Sequence, residues 1–151
     1  MIKLAALYKH WCTADSVKQF ITAAVPVGST TQIPGALLQA GQAHSCFMRL
    51  SVWYALLYVV IEGYNELKLN DPDIDELLTR SEYVDALRRF RNATFHYQAD
   101  PVSDKLMTFL ELADATDWAR CLSKAFGLFF ERELHVEEML LKVTEEAQPQ
   151  D

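Results

Sequence analysis

The sequence predicts an all-α fold, and three observations carry that prediction. No segment sustains the period-two alternation of a half-buried strand. The 151 residues hold only five Gly and five Pro, too few for a turn-rich β architecture. Apolar residues instead recur at helical spacing over long stretches, as in Trp118, Leu122, Ala125, Phe126 and Phe129. The expected architecture is a bundle of four to five main helices with a long central helix and a long C-terminal helix. Half the chain is hydrophobic and 11% is aromatic, enough to bury a core as one domain.

Residues 2–24 are expected to be helical, in two pieces broken near Thr13-Ala14-Asp15, where Thr13 or Asp15 would cap the second. Pro26, Gly28, Pro34 and Gly35 mark the loop over 25–35. From Ala36 to Lys68 the pattern is one long helix. Its stretch Trp53 to Ile61 is unbroken apolar sequence, shorter than the ~20 residues a bilayer needs, and is expected as the central helix of a soluble bundle. Asn70-Asp71-Pro72 stops this helix and restarts a short one over Asp73–Thr79. Ser81 is expected to cap a helix running towards Tyr97, which Gln98-Ala99-Asp100-Pro101 ends. Ser103 starts the next, through about Ala113. Asp114–Asp117 forms a kink, and the last helix runs from Trp118 to Glu146. The organisation is thus an N-terminal part over 1–35, a core over 36–146 and a frayed tail over 147–151.

Composition narrows the function. A net charge of −7 argues against a generic polyelectrolyte binder of nucleic acid, although Arg80, Arg88, Arg89 and Arg91 gather four of the 14 basic residues into one patch. Three cysteines, Cys12, Cys46 and Cys121, make no disulfide framework. With no long apolar run in Met1–His10, a reducing cytoplasm and no membrane partner are expected. His10-x-Cys12 and His44-x-Cys46 are not ligand pairs, because i and i+2 do not share a helix face. Buried free thiols, no metal and no cofactor are expected.

The helix over 82–97 is the most informative segment. Steps of ~100° put Tyr83, Ala86, Leu87, Phe90, Ala93, Thr94 and Tyr97 on a core stripe. Arg88, Asn92 and His96 form an i, i+4, i+8 ridge on the other side, with Asp85 nearby and Arg91 at its edge. Phe95 lies on that polar side. A large aromatic among arginines points to a covered surface: a second protomer, a partner or a stacked base.

Arg91-Asn92-Ala93-Thr94-Phe95-His96 resembles the R-x(4–6)-H motif of HEPN domains (higher eukaryotes and prokaryotes nucleotide-binding), in the form with Asn directly after Arg. The resemblance covers about residues 36–143. It implies a HEPN-like bundle and, for many members, a metal-independent endoribonuclease acting as a homodimer, in toxin and defence settings. By this likeness His96 is the general acid/base, Arg91 the phosphate clamp and Asn92 an orienting amide. The residue types suit ribose 2′-OH attack on phosphorus.

On a straight helix Arg91 and His96 are ~140° apart, so either the helix unwinds near Phe95 or the site is composite across a two-fold axis. Phe95, Arg88 and Val84 would pack at that interface. Several HEPN families aim an acidic residue from the preceding helix at the motif. Glu62, with Glu66 a turn later, would then hold Arg88 or Arg91; otherwise it only starts the solvated end of its helix. In some HEPN toxins a Tyr two residues after the His is modified by a partner. Here that position is Gln98, and the Tyr is at 97 on the expected core face. Two functions follow: an endoribonuclease paired with a protein antitoxin, or an inert HEPN-like dimer that binds a nucleotide, RNA or protein. A plain bundle without nucleic-acid links is the third.

Overall fold

The computed structural model of the chain describes residues 2–26, 33–100 and 103–135. Among these residues there are six helices and no strand: α1 (Ile2–Gln19), α2 (Gly35–Glu66), α3 (Pro72–Leu78), α4 (Ser81–Phe95), α5 (Asp104–Leu110) and α6 (Ala115–Leu134). The all-α bundle with a long central helix is what the sequence predicts. Helices α3 and α5, at seven residues each, are the short additions to the four long ones.

The 32-residue helix α2 is the spine. By length and composition it is the one described helix apolar enough to cross a membrane. In the bundle its second half packs against α1, α4 and α6. Trp53, Tyr54, Leu57, Val60, Ile61 and Tyr64 are buried there. Tyr54 meets Phe90 and Phe109 edge-on at centroid distances of 5.6 and 4.9 Å, and Tyr64 meets Phe126 the same way at 5.6 Å. Such aromatic pairs contribute about 0.5–1.5 kcal/mol each beyond the area they bury. The first turns of α2, residues 35–44, run ahead of the bundle with nearly every side chain exposed, including Leu37.

Helix α1 is one piece and ends at Gln19, which corrects the expected break near Thr13-Ala14-Asp15. The polar residues there serve the helix they were expected to interrupt. The Thr13 hydroxyl donates to the Lys9 carbonyl one turn back (2.9 Å), and Asp15 pairs forward with Lys18 (2.5 Å) and Gln19 (2.8 Å). The helix docks where its neighbours lack side chains. Leu7 fills the space over Gly63 of α2, and the Trp11 ring lies over Gly127 of α6. The Trp11 indole N–H donates to the Ser123 carbonyl at 2.9 Å. Arg49 of α2 then closes the end of α1, donating to the carbonyls of Phe20 and Ala23.

Asp71 is the N-cap of α3, accepting from the backbone N–H groups of Asp73 (3.1 Å) and Ile74 (3.0 Å). Its other oxygen accepts from Arg132 of α6 at 2.5 Å. Burial pushes the Asp71 carboxyl up, but the Ile74 N–H, Arg132 and Asp73 N–H outweigh it and hold it below the usual carboxylate range.

Ser81 is not a cap: it is the first residue of α4, the cap position is Arg80, and no side chain bonds the free N–H groups. Helix α5 stops at Leu110, short of Ala113. The kink at Asp114 is present as a left-handed residue (φ 57°), and α6 begins directly after it at Ala115. The expected extension of α6 beyond 135, the tail and most of the 25–35 loop lie outside the described residues.

Candidate functional site

Helix α4 is amphipathic, and its apolar stripe lies against α2 as expected for Ala86, Leu87, Phe90 and Ala93, all buried. That anchoring turns the opposite edge, with Arg88, Arg91, Asn92 and Phe95, outward. Phe95 is 49% exposed, an apolar ring on a polar surface.

The last turn departs from the wheel. Thr94 donates its hydroxyl back to the Phe90 carbonyl (3.0 Å), and the helix ends at Phe95. His96 is the C-cap, with extended backbone (φ −116°, ψ 143°). Its N–H still bonds the Asn92 carbonyl at 3.1 Å. After Ala93 the run Thr94, Phe95, His96 and Tyr97 contains no strong helix former, so little favours another turn. The Gln98 side-chain amide donates to the carbonyls of His96 (3.2 Å) and Tyr97 (3.0 Å), which secures the extended exit.

Two expectations are corrected by this exit. His96 does not continue the Arg88–Asn92 ridge, and Tyr97 is 93% exposed instead of in the core. Of the alternatives for bringing Arg91 and His96 towards one ligand, unwinding beside Phe95 is present in the fold. The His96 imidazole is exposed and makes no hydrogen bond among the described residues.

Arg91 is held from two sides. One guanidinium nitrogen donates to Glu62 of α2 at 2.8 Å, and another donates to the Asn92 side-chain oxygen at 2.9 Å. The Arg91 side chain is 28% exposed and that of Glu62 42%, so the pair stays open to solvent on one flank. Arg88 turns instead to Asp85 on its own helix (3.4 Å). Glu62 therefore pairs with Arg91 of the two candidate arginines, and Asn92 orients Arg91, not the His96 ring.

The sequence alone did not single out Tyr58. Its ring lies under the Arg91 guanidinium, 6.0 Å from centroid to carbon. Burial, and next the Glu62 carboxylate, push the Tyr58 phenol up, while Arg88 and Arg91 pull the other way without reversing it. Tyr58 precedes Glu62 by four residues on α2, and that spacing is the signal that places both under one guanidinium. Glu62 also borders an open groove of about 400 Å³ between α1 and α2, with Lys3, His10 and Glu66 on its walls.

No described group of three or more His, Cys, Asp or Glu residues is placed to hold a metal ion. The cysteines are free but not buried as expected: Cys12 and Cys46 are half-buried and Cys121 is exposed. Cys121 falls outside the α6 stripe made by Trp118, Leu122, Phe126 and Phe129.

No family model, curated protein or solved structure matches this chain.

Proposed function

We propose that this protein is a metal-independent endoribonuclease of the HEPN type, cutting single-stranded RNA at a site shared across a homodimer. The observation that carries the reading is the end of α4. An exposed imidazole at His96 leaves the helix just beyond Arg91, whose guanidinium is already aimed by Glu62, Asn92 and Tyr58. In the reaction the ribose O2′ forms a bond to the adjacent phosphorus and the P–O5′ bond breaks. An imidazole takes the 2′ proton, and an imidazolium from the two-fold-related motif gives one to the leaving 5′-oxygen. Arg91 offsets the charge that builds on the phosphorane oxygens, because a guanidinium stays protonated throughout. The products are a 2′,3′-cyclic phosphate and a 5′-hydroxyl, with no metal, cofactor or water consumed. Phe95 covers the dimer contact or stacks a base. A cytoplasmic toxin or defence effector held by a protein antitoxin fits the acidic body, which limits promiscuous RNA binding.

The commitment of Arg91 to Glu62 and Asn92 also favours a second reading. There the motif is an interface ridge, and the chain is an inert HEPN-like dimer that binds a nucleotide, RNA or protein.

The deciding experiment is incubation with single-stranded RNA in excess chelator. Fragments ending in 2′,3′-cyclic phosphate, lost together in His96→Ala and Arg91→Ala proteins that stay folded, support the nuclease. RNA left intact by the wild type supports the binding module. Cleavage that persists in both variants overturns the assignment of these residues.

A further inference from the structure

The stretch that carries His96 also walls a cavity. About 210 Å³ opens between α2, the end of α4 and α5, bounded by Phe47, Met48, Ser51, Thr94, Gln98 and Asp100. Thr94 and Gln98 lie two residues before and two after His96, so the pocket and the imidazole share one short piece of backbone. A drug-sized ligand needs about 300–1,000 Å³, so this space suits a single flat heterocycle. Phe47 and Met48 supply the polarizable surfaces that aromatic rings prefer.

The hydrogen-bonding edge has a definite sense. The hydroxyls of Ser51 and Thr94 donate to the carbonyls of Phe47 (2.9 Å) and Phe90 (3.0 Å), and the Gln98 amide donates to its own loop. With those donors spent, the groups at the rim that can meet a ligand are acceptors: the Gln98 side-chain oxygen and the Asp100 carboxylate, which has acceptor sites for more than one donor.

We infer that this cavity is a nucleobase subsite that takes a base bearing an exocyclic amine, cytosine over uracil, from the nucleotide flanking the scissile bond. The inference rests on the nuclease reading for its link to cleavage, while the pocket itself can be tested without activity. The Asp100 and Gln98 acceptors meet the amine N–H of cytosine. Uracil offers a carbonyl at the same edge, which two acceptors repel.

The test follows the Met48 methyl resonance in ¹³C-methionine-labelled protein during titration with CMP and with UMP. The expected result is a saturable shift with CMP and about three- to tenfold weaker binding of UMP, the discrimination of one net hydrogen bond. Gln98→Leu, which removes one of the two acceptors at a half-buried loop position, should narrow the difference between the two nucleotides. In parallel, Met48→Trp, which fills the pocket, should erase the base preference beside the cut while products still end in 2′,3′-cyclic phosphate. A Met48 methyl unmoved by either nucleotide, or moved equally by both, overturns the subsite. So does an unchanged cleavage preference in Met48→Trp. RNA left intact by the wild type removes the nuclease reading alone, and the Met48 titration still decides the pocket.

Discussion

Arg91 and Glu62, 29 residues apart in sequence, meet at 2.8 Å across the contact of α4 with α2. The pair fixes the direction of a guanidinium at the rim of the bundle, which a flexible surface arginine would not keep. Removing either member therefore has different consequences for chemistry and for stability. Under the nuclease reading, Arg91→Ala and His96→Ala each lower kcat by about 100-fold or more. Glu62→Ala leaves the arginine held only by Asn92 and Tyr58 and costs up to about 100-fold. Because both side chains are partly exposed, Glu62→Ala lowers unfolding free energy by less than about 1 kcal/mol. Single-turnover cleavage and urea unfolding on the same samples separate the two effects.

Phe95 gives the test of assembly. Under the shared-site reading Phe95 lies at the two-fold contact, where a buried aromatic ring acts as an anchor whose loss costs about 2 kcal/mol, or about 30-fold in dissociation constant. Phe95→Asp should shift a homodimer to monomer in sedimentation velocity with the helical circular dichroism unchanged. A monomeric wild type would remove the shared-site form of the mechanism.

Acid should loosen the junction of α3 with α6. Asp71 titrates below the usual carboxylate range in the folded chain, so its contribution is complete at neutral pH. That contribution is lost as pH falls through its depressed folded value. Asp71→Asn should cost about 1–2 kcal/mol at pH 7, from a weakened cap and a lost partner for Arg132. The gap between variant and wild type should close on acidification, as measured by urea unfolding from pH 7 to pH 3.

The docking of α1 rests on two side chains over two glycines. A Cβ at Gly127 would lie 2.8 Å from the Trp11 ring, and one at Gly63 would press into the Leu7 side chain. Leucine terminates in a flexible group and can move aside, whereas the indole is rigid and tied to Ser123. Gly127→Leu should therefore destabilise by about 1–3 kcal/mol, with a red-shifted tryptophan emission as Trp11 leaves its seat. Gly63→Ala should cost less.

Much of this was legible in the residues themselves. Glu62 interrupts a run of apolar positions, and Arg91 sits off the apolar stripe of α4, so their meeting needed only the two helices to be adjacent. The stripe placed Ala86, Leu87, Phe90 and Ala93 correctly, because those positions lie inside the helix. The wheel fails three and four residues later, at His96 and Tyr97, where it extends a period that the backbone has already abandoned. Helix propensity is low from Thr94 to Tyr97, but the point of the stop is matched by the Gln98 amide folding back on the His96 and Tyr97 carbonyls, a contact no periodicity encodes. The α1 break failed for the related reason that Thr13 and Asp15 bond equally well within a helix as at its start. Residue type alone predicts a buried Cys121, whereas its position around α6 faces solvent.

The carboxylate that aims Arg91 belongs to the same rod of backbone as the buried side chains of Trp53, Tyr54 and Leu57. Deleting one residue between Ala55 and Ile61 would swing everything after it by ~100° and shorten the rod by ~1.5 Å. Interior packing could be patched by a neighbouring aliphatic, but Glu62 would then face away from its guanidinium. Length variation in this stretch is thus constrained most tightly by the rim chemistry it carries.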